Sequence, residues 1–271
     1  MENYRLTDQE FGNIKKIVYE YAGINLTDVK RQLVITRLSK RLRELQLSSF
    51  TEYLNYINFK DPQKIEFTEM INRISTNLTY FFREEIHFEF CHQYVFPDIK
   101  DKIKIWCAAA STGEEPYSIS ISVLEYNKKN KKKLNAEILA SDISTSVLQT
   151  AQKGIYTEEA ISKISSEIKK TYFLKGYDTN EGLVAVKPVV KTNINFKNIN
   201  VLHSVNNSEK FDLIFLRNIL IYFDQKTKKD VINNMQNVLK KGGYLIMGVT
   251  DSVMSLTNEM KNCGNSIYKN I

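Results

Sequence analysis

The chain has 271 residues, 42% of them hydrophobic and 25% charged, which suits one large globular domain or two ordinary ones. No apolar run approaches the length that crosses a bilayer, and the first residues (MENYRLTDQE) lack the apolar core of a signal peptide. The expectation is therefore a cytoplasmic protein with no direct membrane insertion. The net charge is +7 with a sequence pI near 9.0, which a solvated lysine-rich surface explains, with nucleic acid, a membrane surface or an acidic protein partner as the alternatives. Cys91, Cys107 and Cys263 are widely separated, so neither a disulfide framework, a metal site nor thiol chemistry is expected.

The first third reads as helices. Thr7 with Glu10 predicts a capping box, followed by Phe11, Ile14, Val18 and Tyr21 at helical spacing. A second helix is expected from Lys30 to Leu45, with Ile35, Leu38, Leu42 and Leu45 on one stripe and Lys30, Arg37 and Arg41 on another. Ser49 with Glu52 caps a third helix carrying Tyr53, Leu54 and Ile57, and Phe67, Met70, Ile71 and Ile74 mark a fourth. No strand pattern interrupts them, which predicts an N-terminal all-α domain over 1–76.

After Asn77 comes LTYFFRE, then a helix stopping near Pro97. From Lys102 strands and helices alternate. KIKIWCAA, Ala136–Asp142, Phe211–Asn218 and Tyr244–Val249 read as strands, and SIYKN as a last edge strand. Helices are expected over Tyr117–Asn127, Ser144–Lys153 and Gln225–Leu239, the last closed by Gly242 and Gly243, and KKNKKK (Lys128–Lys133) reads as a loop. This rhythm predicts an α/β fold with a mostly parallel sheet covered on both faces. One stretch, about 154–198, holds more chain than a crossover needs. In it TYFLKG and GLVAVK flank the polar turn YDTNE, a β-hairpin and hence a small antiparallel insertion.

The stretch IWCAAASTGEEPYS (Ile105–Ser118) joins a strand to a helix through small residues, the usual cradle for a nucleotide-like cofactor. It lacks both G-x-G-x-x-G and a P-loop lysine, and Glu114 and Glu115 would repel a pyrophosphate. A ligand with hydroxyls or positive charge fits better. Asp142 ends the next strand, where an acid accepts from ribose hydroxyls or, alternatively, only caps the helix that follows. Arg217, Asn218 and Tyr222 of RNILIYFD follow a third strand and are site candidates. His87, His92 and His203 suggest no metal site.

NLTYFFRE, WCAAASTGEEPYS, ASDIS, AQKGIY, FDLIFLRNILIYFD and LKKGGYLIMG occur in the order and spacing of the CheR family, and the chain resembles that family through nearly its whole length. The resemblance implies a Rossmann-like class I methyltransferase domain over 77–271 that uses S-adenosylmethionine and releases S-adenosylhomocysteine. It implies transfer of a methyl group to glutamate carboxylates of chemotaxis receptors, an activity that needs no general base. Cofactor contacts carry over to Asn77, Thr79, Arg83, Glu114, Glu115, Asp142, Asn200, Val201, Arg217 and Asn218, with Arg83 and Tyr222 nearest the reacting methyl. Which of Glu114 and Glu115 touches the cofactor stays open.

The implied partner is the acidic helical bundle of a receptor's cytoplasmic part, met by Lys30, Arg37, Lys40 and Arg41 of a monomer. Some family members also hold a receptor C-terminal peptide on the inserted sheet. Gly176 and Gly182 have the spacing for this, but Lys175 and Ala185 stand where arginines are usual. A CheR-like binding scaffold without turnover is the alternative function. Nucleic-acid methylation fits less well, because RNILIYFD lacks an Asn/Asp-Pro-Pro-aromatic motif and no aromatic–basic interleaving marks a strand-binding groove.

Overall fold

The computed structural model describes residues 4–203, 209–249, 251 and 260–271. Thr7 closes the expected capping box: its hydroxyl accepts from the Glu10 N–H at 3.2 Å, and the Glu10 carboxylate accepts from the Thr7 N–H at 2.8 Å. Helix α1 (Asp8–Ala22) follows and ends at Gly23, whose φ of 67° favours glycine. Helices α2 (Arg31–Glu44), α3 (Phe50–Phe59) and α4 (Ile65–Ile74) complete the helical part, with α1 packed on α3 and α2 on α4. Their core is Phe11, Ile14 and Val18; Val34, Leu38 and Leu42; Tyr53, Leu54 and Ile57; and Met70, Ile71 and Ile74. Burying one such aliphatic side chain contributes about 2 kcal/mol over leaving it exposed. On α2 the buried row runs Val34–Leu38–Leu42: Leu38 and Leu42 are buried as expected, Val34 takes the place expected of Ile35, and Ile35 and Leu45 are only half-buried.

These helices and the short segment Tyr222–Thr227 form one unit of the chain, Met1–Thr76 with Tyr222–Thr227. The Asn25 N–H donates to the Tyr222 carbonyl at 2.8 Å, and the Tyr19 hydroxyl donates to Asp224 at 2.7 Å.

Asn77–Ile221 and Lys228–Ile271 form the second unit. Helix α5 (Ile86–Phe90) runs on through a wider turn, Cys91–Val95, and a 3-10 turn, Phe96–Asp98, that ends at Pro97 and its neighbour. Strand β1 (Lys102–Cys107) leads to α6 (Glu114–Asn130), β2 (Asn135–Asp142) and α7 (Thr145–Lys153). The insertion holds β3 (Ile155–Thr157), α8 (Ser166–Tyr172), β4 (Phe173–Lys175) and β5 (Leu183–Val186). Then come α9 (Pro188–Lys191), β6 (Ile194–Asn198), β7 (Phe211–Leu216), α10 (Gln225–Val238), β8 (Leu239–Met247), β9 (Met260–Asn262) and β10 (Ile267–Asn270).

A seven-stranded sheet has the order β6-β2-β1-β7-β8-β10-β9, and a three-stranded sheet the order β3-β5-β4. β6, β2, β1, β7 and β8 are parallel, and β10 is antiparallel to both its neighbours. The parallel strands are near-continuous apolar runs, as burial on both faces requires, with Ile103, Ile105, Trp106, Ile138, Leu213, Phe215 and Ile246 in the core. The buried Trp106 indole donates to the Ser141 hydroxyl at 2.9 Å.

Four local expectations need correction. Gly242 and Gly243 do not close a helix but lie inside β8, where the register against β7 shifts between Phe211 and Leu213. The last strand is not an edge, because β9 pairs on its outer side. Lys128 and Lys129 belong to the last turn of α6, while the Lys132 ammonium donates to the carbonyls of Phe96, Pro97 and Ile99. The insertion is shorter than 154–198, since β6 pairs with β2 in the large sheet. Among the described residues no helix is long and apolar enough to cross a membrane.

Candidate active site

The C-terminal ends of β1, β2, β7 and β8 converge, as ligand sites do in open α/β sheets. Beyond β1 the chain turns through Ala108–Gly113, tied down by the Ala108 N–H donating to the Phe215 carbonyl and the Ala110 N–H to the Ser141 carbonyl, both at 2.8 Å. Ser111 (φ 48°) donates its N–H to Asp142 Oδ2 at 2.9 Å and its hydroxyl to the Asn77 carbonyl at 2.9 Å. Gly113 has φ 103°, and a Cβ there would lie 2.7 Å from the Tyr156 hydroxyl and 2.9 Å from the Ala151 Cβ, so only glycine fits. The Tyr156 hydroxyl donates to the Thr112 carbonyl at 2.7 Å. Glu114, Glu115 and Pro116 then open α6, where acids favour the positive end and proline breaks no hydrogen bond.

The two glutamates part company. Glu115 accepts from Arg217 at 2.6 Å and from the Cys107 thiol at 3.3 Å, inside the protein. Glu114 accepts from the Thr112 hydroxyl at 2.6 Å and has no basic side chain within ion-pair distance among the described residues. Burial pushes the Glu114 carboxyl above the usual range, only partly offset by the Thr112 hydroxyl. Asp142 is also pushed up by burial, although its carboxylate accepts from the backbone N–H groups of Ser144 and Ser111. Asp142 thus does brace the start of α7 while remaining a buried acid at the turn. Two buried carboxylates whose anionic forms lack a cation suit a ligand that brings hydroxyl or ammonium donors.

Arg83 is bracketed by two non-glycine residues in the left-handed region, Phe82 (φ 53°) and Glu84 (φ 56°). Each costs on the order of 1 kcal/mol and persists only where its surroundings enforce it. The Arg83 guanidinium donates to the Leu78 carbonyl at 3.0 Å and lies 5.6 Å from the Tyr80 ring. Arg217 is buried, with one arm on Glu115, another 3.3 Å from Glu84, and a bond to the Arg83 carbonyl. Asn218 (φ 56°) donates its N–H to Asp251 at 3.0 Å and its side-chain amide to Glu84 at 3.2 Å. Asp251 also accepts from the Gly248 N–H at 3.2 Å, joining the ends of β7 and β8.

His87 is fully buried, and its Nε2–H donates to the Asn265 carbonyl at 2.9 Å. Its Nδ1 lies 3.4 Å from Glu84, an ion pair only if the ring were charged, and burial pushes its pKa down, against that charged form. Asn77 and Thr79 are half-buried. Val201 is buried, and the carbonyls of Val201 and Leu202 accept from the Asn234 amide of α10, which fixes the turn carrying Asn200. Glu84, Asp251, Thr112 and Tyr156 did not emerge as site residues from the sequence. The adjacency of Glu84 to Arg83 in FFRE was the one usable signal.

In the helical unit, two of the four residues expected to meet a receptor are already engaged. Arg37 donates to the carbonyls of Arg73, Ile74 and Ser75 at 3.3, 2.7 and 2.9 Å, capping the C-terminal end of α4. Arg41 forks onto Glu66 at 2.6–2.9 Å and reaches Glu44 at 2.8 Å, and the Tyr53 hydroxyl donates to the same Glu66. Lys30 and Lys40 are exposed. Tyr222 is half-buried in the segment that packs with the helices.

Residues 77–269 match the family described as CheR methyltransferase, SAM binding domain, and residues 9–75 match the CheR methyltransferase all-alpha domain. The chain belongs to the CheR methyltransferase family. A chemotaxis protein methyltransferase of Borreliella burgdorferi is 38% identical over 265 residues, covering 94% of this chain and 92% of the relative. One from Salmonella typhimurium is 36% identical, covering 97% and 90%, and one from Escherichia coli is 35% identical, covering 98% and 92%. This CheR protein is an S-adenosylmethionine-dependent methyltransferase. Its site fits that cofactor: the turn is small rather than glycine-rich, as a ligand without phosphate allows, and Asp142 and Glu114 offer acceptors to hydroxyl and ammonium groups.

Proposed function

We propose that this chain methylates glutamate side chains of chemotaxis receptors, giving methyl esters in the cytoplasm as part of sensory adaptation. The observation that carries the site is the pair of buried acids Asp142, at the end of β2, and Glu114, at the opening of α6, neither with a cationic partner among the described residues. On this reading Asn77, Thr79, Arg83, Glu114, Asp142, Asn200, Val201 and Asn218 contact the cofactor. Glu115 and Arg217 position their neighbours, because their charges are spent on each other and on the Glu84 region.

Bound S-adenosylmethionine supplies a methyl group already activated on a sulfonium. A receptor glutamate is ionised near neutral pH, so its oxygen could accept that methyl without a base from this chain, and the bonding pair would stay on sulfur to leave the thioether S-adenosylhomocysteine. The protein's task is alignment in a site with little water. Arg83 orients a carboxylate, either the substrate's or the cofactor's own, and the Tyr222 hydroxyl holds the attacking oxygen. The role of Tyr222 rests on RNILIYFD as a family pattern.

The exposed Lys30 and Lys40 support docking to an acidic helical bundle, a contact that speeds encounter and weakens with salt. Arg37 and Arg41 contribute through the fold. The edges of the three-stranded sheet support capture of a receptor C-terminal peptide as an added strand, with Gly176 and Gly182 bounding the turn between β4 and β5. Calorimetric titration with S-adenosylhomocysteine should show one site per chain. Labelled methyl should then pass from cofactor to receptor-containing membranes as base-labile ester. Binding without transfer would overturn the enzymatic reading in favour of a scaffold, and label in RNA instead would overturn the substrate.

A further inference from the structure

We propose that Glu84 is a positioning residue of the methyl-transfer site, fixing the orientation of the Asn218 amide and the pose of Arg83. The proposal rests on the reading that Arg83 and Asn218 face the cofactor.

Glu84 gathers three parts of the chain. Its Oε1 accepts from the Asn218 side-chain amide at 3.2 Å and its Oε2 from the Val249 N–H at 3.1 Å. Arg217 lies 3.3 Å from the same Oε2, and the Arg83 Nε lies 3.7 Å from Oε1. The partners therefore come from the neighbouring Arg83 and from the ends of β7 and β8, and the buried His87 on α5 brings its Nδ1 to 3.4 Å from Oε2. None is an apolar core contact.

A carboxylate beside a buried arginine is ionised, and an ionised carboxylate only accepts hydrogen bonds. Burial alone would raise the Glu84 pKa, but Arg217, the Asn218 amide and the Val249 N–H together hold it below the usual range. Asn218 must therefore turn Nδ2 toward Glu84, which aims Oδ1 the other way. Its backbone N–H is taken by Asp251, so the main chain cannot rotate to compensate. Asn218 is then a preset acceptor for a ligand N–H. A neutral amide at position 84 could satisfy Asn218 in either orientation and would lose that preset.

The left-handed backbone at Phe82 and Glu84 adds a second argument. Such a conformation at the two non-glycine residues flanking Arg83 needs an anchor, and the Glu84 carboxylate supplies one on its C-terminal side. Arg217, through its bond to the Arg83 carbonyl, supplies another. Arg83 is thereby held from its own backbone, leaving its guanidinium within reach of both the Leu78 carbonyl and the Tyr80 ring.

The test compares the parent protein with Glu84→Gln, Asn218→Ala and the double variant. The readouts are the calorimetric Kd for S-adenosylhomocysteine, the KM for receptor at saturating cofactor, and the melting midpoint. Glu84→Gln should weaken product binding by about tenfold or more, as expected for loss of charge-assisted hydrogen bonds. Receptor KM should stay within about twofold. Acting through Asn218, the loss should largely vanish on the Asn218→Ala background. If Glu84→Gln does not fold, Glu84→Asp keeps the charge beside Arg217 but withdraws the reach to Asn218, and it should show the same loss with the melting midpoint retained. Product binding unchanged in a folded Glu84 variant, or losses that multiply in the double variant, would overturn the proposal. A parent protein that binds no product would instead sink the reading of the site on which it rests.

Discussion

Asp142 and Glu114 are acids kept from water, and their chemistry makes a pH signature with two opposite signs. Burial raises both carboxyls above their ordinary values. In the free protein the folded state then binds more protons than the unfolded chain between the ordinary and the raised values, so these two groups add stability as pH falls through that window. Ligand donors favour the anionic forms, so affinity must fall over the same window. Calorimetry with S-adenosylhomocysteine from about pH 7.5 to about pH 5 should show weakening affinity, and Asp142→Asn should flatten part of the slope. An affinity that rose with acid would contradict the assignment of both groups as cofactor acceptors. Asp142 and Asn218 could be picked out from the sequence because they stand at strand ends, and Arg83 through the family resemblance of NLTYFFRE. Glu84 and Asp251 could not, because their partners arrive from segments far along the chain. Spacing also could not tell Glu114 from Glu115, since the distinction lies in which one Arg217 reaches.

At the scale of the element, α2 shows how a basic stripe can mislead. Arg37, Lys40 and Arg41 are neighbours on the helix, yet the two arginines work inside the domain while the lysine faces water. Glu66 is almost wholly buried, so Arg41→Glu would leave it facing another anion and should cost about 3 kcal/mol, seen as a lower denaturation midpoint. Lys40→Glu and Lys30→Glu should leave the midpoint within about 0.5 kcal/mol and raise the receptor KM in a salt-dependent way. Unchanged receptor KM in both lysine variants would remove α2 as a docking face. The helix itself was legible from its apolar period and its neighbours' caps. The duties of its arginines were not, because capping another helix's carbonyls and pairing with a buried glutamate are tertiary facts.

Across the whole molecule, the alternating strands and helices made the parallel sheet readable, and the polar turn YDTNE made the insertion readable. The antiparallel β10 inside the sheet and the bulge in β8 were not readable, because pairing order and register have no local signature. The insertion is also stitched to the cofactor turn. Tyr156 on β3 donates to the Thr112 carbonyl, and Phe81, two residues before Arg83, meets its ring edge-to-face at 5.1 Å. Tyr156→Phe removes one hydroxyl and keeps the packing, so it should weaken product binding several-fold, by about 1 kcal/mol, with little change in receptor KM.

That single phenol has a consequence for anyone trimming the enzyme. The Thr112 carbonyl accepts a hydrogen bond from the Tyr156 hydroxyl and the Thr112 hydroxyl donates one to Glu114, so the inserted sheet is two hydrogen bonds from the carboxylate proposed to meet the cofactor. A shortened chain with 155–186 replaced by a tight linker would keep every strand of the large sheet, yet should bind the cofactor poorly. The inserted sheet is thereby part of the floor of the proposed cofactor site rather than a detachable accessory.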